Sequence, residues 1–310
     1  MAEQKLNNVN LQQLDEVAKT TGASFNELWW NNFLQNQELI KRNRGVGILA
    51  NGTSFKDVST ILVGAGPSLD KLVPFLIQES NKSLIIACDA ILEPLLDMGV
   101  TPHIVITLDP QKEIARFFAS TNTTKPLLIA PTIIHPEVLR FWKGKLLFYN
   151  KNAPVYPVLV NICNHAPHIP QLTPGGSVLS VGYDLAFKLG CDPIIFIGQD
   201  LAYVSKKTHA KNTAHPINES NNILLRMKEH IVLEEDIFGK KVPTSKALST
   251  SKDWFHWIFN ANKKHRDSVA INASESGIIK ENCDVLTFRD ALSRKKNRIN
   301  VENIMRRAMN

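Results

Sequence analysis

Ile61-Leu62-Val63-Gly64-Ala65-Gly66-Pro67-Ser68-Leu69-Asp70 is an apolar strand pattern that runs into a Gly-x-Gly-Pro-Ser turn and then a helical pattern. Such an order opens an α/β fold. Glycine has no Cβ, so Gly64 and Gly66 are expected to use positive φ and bring backbone N–H groups close to a ligand. Pro67 presets φ for a tight turn, and Ser68 is expected to N-cap a helix over about Leu69–Gln78 whose unpaired N–H groups face an anion. Leu69 stands where a dinucleotide fingerprint has its third glycine, so the loop by itself specifies a tight turn or an anion site and disfavours an NAD-type dehydrogenase.

Outward from this unit the chain alternates short apolar runs with helical ones. Strands are expected at Ile61–Val63, Leu84–Cys88, Ile104–Leu108, Leu127–Pro131, Leu146–Tyr149, Ile194–Ile197 and Val269–Ile271. Helices are expected at about Leu69–Gln78, Ala90–Met98, Lys112–Ala119 and Val178–Leu189, the last ending at Gly190. The alternation predicts an α/β fold with a mostly parallel sheet and helices on both faces. Before it, Leu11 to Arg44 has helical periodicity with a break at Thr21-Gly22, and after Thr287 a basic helical tail is expected. The expected organisation is a helical N-terminal extension over 1–59, the α/β domain over 60–286 and the tail over 287–310.

Ile237 to Thr244 reads as a small hairpin, and Ser251–Asn260 as an aromatic helix whose Trp254, Phe255 and Trp257 are expected in the core. No internal repeat or low-complexity tract is present.

With 310 residues, 44% hydrophobic and 21% charged, the chain has the composition of an ordinary globular protein with a substantial core. Lys and Arg number 36 against 29 Asp and Glu, a net charge of +7 that favours anionic partners. Much of the excess lies in Arg294, Lys295, Lys296, Arg298, Arg306 and Arg307, which read as a solvated helix face or at most a peripheral membrane contact. No run approaches the 18 apolar residues of a membrane span, and Met1–Gln13 carries no signal-type apolar stretch. Cys88, Cys163, Cys191 and Cys283 are scattered, which argues against a zinc knuckle or a disulfide framework and fits a cytoplasmic location.

In a parallel sheet, ligands bind beyond the carboxyl ends of the strands where the strand order reverses. Polar residues follow the strands at those ends: the glycine loop, Asp89, Asp109, and Gly198-Gln199-Asp200. Asp89 lies about 25 residues past Gly64, near the separation at which an acid meets a ribose hydroxyl, and it also suits the N-cap of the following helix. Gly175-Gly176-Ser177 opens a second helix and forms a second expected anion site. Two such starts suit a ligand with both a phosphate and a carboxylate. The polar loop from Leu201 to Asn222 holds His209 and His215; His209 is the histidine nearest Gln199-Asp200 and a candidate general base. Asp200 is the other candidate, either as the base or as the carboxylate that orients a histidine. Asp109 suits a metal or a hydroxyl. His165 and His168 read as surface or turn histidines, and no metal site is expected. Walker, Gly-x-Ser-x-Gly and His-Glu-x-x-His motifs do not occur.

Several segments together resemble the Maf (motility-associated factor) family, which is grouped with 6-hydroxymethylpterin diphosphokinase-like domains. They are Gly64–Leu69, Ala87–Ala90, Gly99–Val105 with Leu108–Gln111, Gly175–Val178, Gly198–Tyr203 with Thr208–Ala210, and Ile271–Gly277, spread over roughly Thr60 to Asp290 in family order. The resemblance implies a Rossmann-like glycosyltransferase, similar to bacterial sialyltransferases, that moves a nonulosonic acid of pseudaminic or legionaminic type from a CMP-activated donor. The implied acceptor is a flagellin Ser/Thr hydroxyl; because the chain is shorter than flagellar members, a surface glycan is the other acceptor. On this reading Gly64, Gly66, Pro67, Ser68 and Asp89 face the nucleotide, with Asp109 on the same strand-end side. Gly175, Gly176 and Ser177 face the donor phosphate or carboxylate, and Gln199, Asp200 and His209 the reacting centre. Asn272 and Glu275 complete the site. No cofactor is firmly implied, a Mg²⁺ requirement stays open, and no nucleic-acid partner is expected. The alternatives are an ATP- and Mg²⁺-dependent 6-hydroxymethylpterin diphosphokinase, for which Leu108-Asp109-Pro110 offers one carboxylate where an Asp-Leu-Asp pattern is expected, and a non-catalytic interaction module.

Overall fold

The computed structural model describes residues 25–50, 55–204, 207–214, 230–264, 269–296 and 300–309. Nine of its strands form one sheet: β1 (Thr60–Val63), β2 (Leu84–Cys88), β3 (Ile104–Ile106), β4 (Leu127–Pro131), β5 (Leu146–Lys151), β6 (Gln171–Leu172), β7 (Ile194–Ile197), β10 (Ala270–Asn272) and β11 (Asp284–Val285). Their order is β11-β10-β7-β1-β2-β3-β4-β5-β6, and every pairing is parallel. The other two, β8 (Ile231–Glu235) and β9 (Lys241–Ser245), form an antiparallel ribbon inserted after β7.

Alternate residues of one strand enter different packing layers, as the period of two requires. In β3, Ile104 and Ile106 join one cluster and Val105 the other; in β5, Leu147 and Tyr149 are divided from Phe148 in the same way. Both faces are therefore covered, which is why these strands read as continuous apolar runs. On one face a helix over 25–42, α1, contributes Trp29, Phe33 and Ile40 to the cluster. Its buried Asn32 donates to the carbonyls of Pro110 and Ile133, and Asn36 to those of Thr132 and Ile134, so α1 is stitched to the loops after β3 and β4. The expected helical stretch from Leu11 to Ala18 lies outside the described residues.

The chain then runs through α2 (Val73–Ile77), α3 (Leu92–Asp97), α4 (Pro136–Phe141), α5 (Pro157–His165) and α6 (Val178–Lys188). Helix α6 packs on β1, β2 and β7 at the centre of the sheet. It ends as expected: Gly190 takes φ +85°, the Cys191 N–H donates to the Ala186 carbonyl and the Gly190 N–H to that of Phe187, a Schellman closure. Helix α7 (Lys246–Lys263) follows the ribbon and buries Phe255 and Phe259 against Tyr183 and Phe196, whereas Trp257 is 60% exposed, contrary to the expected core position. The chain closes with α8 (Phe288–Ser293) and α9 (Val301–Ala308), which place Phe288, Ala291, Val301 and Ala308 in the main core.

Three expected helices are replaced, wholly or at their start, by tighter turns. The run over Leu69–Gln78 divides into a 3₁₀ turn at Pro67–Lys71 and α2, with Leu72 between them. Lys112–Phe117 is 3₁₀ throughout, and Asp89–Ile91 is a 3₁₀ turn ahead of α3. The hairpin expected at Ile237–Thr244 pairs Ile231–Glu235 with Lys241–Ser245 and places its turn at 236–240. In the tail, Lys295 pairs with Glu79, and Lys296 with Asp192 and Asp57. These acids sit in loops that precede β2, β7 and β1, so part of the basic excess is held against the amino-terminal edge of the sheet. Arg294, Arg306 and Arg307 remain exposed.

Candidate active site

Strand order reverses between β1 and β7: successive strands after β1 step one way and those after β7 the other. A crevice of about 390 Å³ opens beyond their carboxyl ends. This is the place where a parallel sheet accepts ligands, and the volume lies within the ~300–1,000 Å³ typical of small-molecule sites. Gly64, Gly66, Asp89, Ser177, Gln199, Asp200 and His209 all line it, joined by Cys88, Tyr203 and Thr208. Residues from four separated parts of the sequence thus meet in one space.

The glycine loop differs from its expected form. Gly66 has φ −70°, and Gly64 is not a positive-φ residue either, so neither uses glycine's left-handed freedom. What demands glycine is close approach: a Cβ on Gly66 would overlap Asp200 Oδ2, and one on Gly64 would overlap the Gly198 carbonyl. Nor are the loop's N–H groups turned to a ligand. The Gly64 N–H donates to the Ile197 carbonyl (2.8 Å), that of Gly66 to the Gly198 carbonyl (2.7 Å), and that of Ser68 to Asp200 Oδ2 (2.9 Å). Ser68 is not an N-cap. It lies inside the 3₁₀ turn that Gly66 caps, and Asp200 supplies the anion expected from a ligand.

Asp200 is 1% exposed, and its Oδ1 has no hydrogen-bond partner among the described residues. Burial pushes its carboxyl up to about 6, opposed by Ser68, whose N–H it accepts, and reinforced by the Asp70 charge. The backbone is fixed as well: the Ile278 N–H donates to the Asp200 carbonyl, and a Cβ on Gly277 would overlap that same carbonyl. A carboxyl raised to about 6 with one unpartnered oxygen beside the crevice suits proton abstraction.

Asp89 is 3% exposed, and burial raises its carboxyl to about 6. Its Oδ2 accepts from Thr107 Oγ1 (2.6 Å) and its Oδ1 from the Ala90 N–H (2.8 Å), so the side chain supports its own 3₁₀ turn while lining the crevice. Tyr149 donates to the Thr107 carbonyl beneath it. Cys88 also borders the crevice; burial holds it as a thiol and removes it as a nucleophile. His209 is presented by a segment fastened on its carboxyl side, where the Ala210 N–H donates to the Ala65 carbonyl and the Lys211 N–H to Asp70 Oδ1.

The second expected anion site is the more open one. Ser177 is the N-cap residue of α6, an 11-residue helix, and its side chain makes no capping bond. Ser177, Val178 and Leu179 line the crevice. Gly175 and Gly176 stand behind it: Gly175 backs onto the Trp254 ring, and Gly176, at φ +89°, lies against Ser251.

Besides Ser68, Gly175 and Gly176, four more expected residues stand apart from the lining. Pro67 starts the 3₁₀ turn; Asp109 Oδ1 accepts from the Gln111 N–H, and burial raises its carboxyl. Asn272 donates to the Ile279 carbonyl and accepts from the Ser274 N–H, whereas Glu275 Oε1 accepts from the Phe288 N–H at the start of α8. Sequence reading missed Ser245, Ala247 and Leu248, which border the crevice from the start of α7, and Thr107. A Ser just before a helical period was the available signal for the first three; Ser245 Oγ indeed accepts from the Leu248 N–H.

Among the described residues no group of three or more His, Cys, Asp or Glu side chains is arranged to hold a metal ion, and no helix is long and apolar enough to cross a membrane. The fold and the crevice define an α/β protein with a pocket at the switch point of a parallel sheet. Residues 31–206 match the 6-hydroxymethylpterin diphosphokinase MptE-like family, and the chain belongs to it. The match begins within α1 and ends beyond Tyr203, leaving the Ile271–Gly277 block outside. The fold is also that of the MAf glycosyltransferase from Magnetospirillum magneticum AMB-1: TM-score 0.63 at 18% identity, over 90% of this chain and 41% of that one. An uncharacterized protein of Treponema pallidum (strain Nichols) is 30% identical over 120 residues, 36% of this chain and 30% of its own length. The chain thus spans less than half the length of either.

Proposed function

We propose that the protein is a glycosyltransferase that moves a nonulosonic acid from a CMP-activated donor to a hydroxyl of a flagellin-type protein or a surface glycan. The observation that carries this reading is Asp200, a buried carboxylate with one unpartnered oxygen in a crevice that also contains the open N-terminus of α6. Asp89 faces the nucleoside, and the phosphate lies at Ser177, where the helix dipole stabilises negative charge. The acceptor oxygen forms a bond to the anomeric carbon while its proton passes to Asp200 or His209. The bond from that carbon to the phosphate oxygen breaks, and its electron pair leaves with CMP. Charge develops on the departing phosphate beside preorganised N–H groups, the arrangement that lowers such a barrier most. The fold shared with a glycosyltransferase supports the same reaction class.

The family's description favours a second reading, ATP- and Mg²⁺-dependent diphosphoryl transfer. Thermal denaturation with CMP, UDP, GDP and ATP, each with and without Mg²⁺, separates the two, because a ligand that binds only the folded state raises the melting temperature by mass action. CMP is expected to give the shift without metal. A shift with ATP and Mg²⁺ alone, abolished by chelation, would replace the glycosyltransferase reading, and no shift with any cytidine nucleotide at millimolar concentration would remove it.

A further inference from the structure

Gln199 spans the floor of the crevice from β7 to the start of α6. Its backbone N–H donates to Ser274 Oγ (3.1 Å), its side chain packs against Gly64, and its Nε2 donates to Ser177 Oγ (3.1 Å). Ser274 is held in turn, its N–H donating to Asn272 Oδ1 (3.0 Å). The strut is therefore fixed at both ends, and Gln199 is only 6% exposed.

An N-cap serine ordinarily turns its oxygen onto the N–H groups of its own helix. Ser177 does not; its oxygen accepts from Gln199 instead. A hydroxyl whose oxygen is engaged by an N–H donor has its proton left to give. That proton stands beside the Val178 and Leu179 N–H groups at the start of α6, the Ser180 N–H being taken by the Ser177 carbonyl (3.1 Å). The neighbouring Asp200, also in the lining, keeps an oxygen buried and unpartnered, which marks the same space as one completed by a ligand. We propose that Gln199 is a positioning residue that turns the Ser177 hydroxyl into a donor for a phosphate monoester or diester bound at the N-terminus of α6.

The inference rests on the crevice being a donor site, and it makes a polarity prediction that a merely structural strut does not. Gln199→Glu keeps size and a hydrogen bond to Ser177 but reverses its direction: the hydroxyl then donates to the introduced carboxylate and presents a lone pair to the phosphate. Calorimetric titration with CMP, cytidine and inorganic phosphate reads the effect. Gln199→Glu and Ser177→Ala are each expected to weaken CMP binding roughly tenfold or more while leaving cytidine binding near wild type. Ser177→Thr should restore CMP binding, and the Gln199→Glu/Ser177→Ala double variant should be no worse than either single change, because the two act as a unit. Wild-type CMP affinity in Gln199→Glu, a parallel loss of CMP and cytidine, or losses that add in the double variant, as plain repulsion between the introduced carboxylate and the phosphate would give, overturns the proposal. A wild-type protein that binds phosphate but not CMP sinks the CMP-donor reading alone, and loss of that phosphate binding in Gln199→Glu then upholds this one. Binding of neither CMP nor phosphate overturns both.

Discussion

The Ser68 N–H donates to Asp200 Oδ2 across 132 residues of sequence, and this bond decides what the glycine loop does. A carboxylate of the protein, rather than a ligand, receives the loop's N–H. Gly66 is glycine because Asp200 lies where its Cβ would be. The loop is thus a cradle for an acid that folding forces into a buried place, which costs stability whenever that acid is ionised.

The cost has a sign that can be measured. Asp200 is raised from 3.8 to about 6, so below the lower value both folded and unfolded states are protonated, and stability is lost as pH rises through the folded value. Asp200→Asn keeps an acceptor for Ser68 and removes the ionisation. It should be more stable than the wild type by up to about 3 kcal/mol at pH 7.5, with no advantage at pH 3.5, while transfer falls by roughly 10²-fold or more. A stability difference independent of pH would show that the carboxyl is not perturbed.

His209→Ala should leave CMP affinity within about twofold and lower turnover roughly 10²-fold. The separation is expected because the segment is held by the bonds from Ala210 to Ala65 and from Lys211 to Asp70, neither of which uses the imidazole. Near-normal turnover would leave Asp200 as the base by itself.

His103 predicts acid sensitivity of different origin. Its Nδ1 accepts from the Ile85 N–H (3.0 Å), and burial lowers it to about 4 from 6.5. The unfolded chain therefore gains a proton first as pH falls, so stability present above pH 6.5 is lost progressively down to about 4, by up to about 3 kcal/mol. His103→Asn, which offers an oxygen to the same N–H, should flatten that part of the stability profile relative to wild type; an unchanged slope between pH 6.5 and 4 would assign the acid sensitivity elsewhere.

The sheet was legible because each strand buried on both faces leaves a short apolar run, and because polar residues follow those runs. Strands β6 and β11 have two residues each and leave no such signal. At the site, Gly64, Asp89, Ser177 and Asp200 were recognisable as residue types after strands or before a helix. Their partners were not. Periodicity carries no information on whether an N–H faces a ligand or a carboxylate 132 residues away, and the 3₁₀ turn at Pro67–Lys71 differs from an α-helix only in hydrogen bonding that the side-chain pattern does not encode. For the same reason Asn272 read as a ligand contact, although it acts through Ser274 on Gln199.

The basic tail gives the last test. Lys295 and Glu79 pair with side chains 18% and 9% exposed, at the edge of the sheet opposite the crevice. Removing one partner of a buried pair leaves an uncompensated charge and typically costs about 3–5 kcal/mol, whereas replacing both with apolar side chains is close to neutral. Lys295→Ala leaves Glu79 only the exposed Lys82 ammonium at 3.9 Å and the Ser83 hydroxyl at 3.4 Å, so it should lower stability by up to about 3 kcal/mol, and Lys295→Met with Glu79→Leu should recover most of it. Neither change touches the crevice, so CMP affinity should stay within about twofold once the protein is folded. The double variant also separates two uses of the tail's charge. If Lys295 is a staple, binding of the protein to vesicles with anionic headgroups is unchanged by the double substitution; a fall in vesicle binding at full stability would assign the lysine to a membrane surface instead.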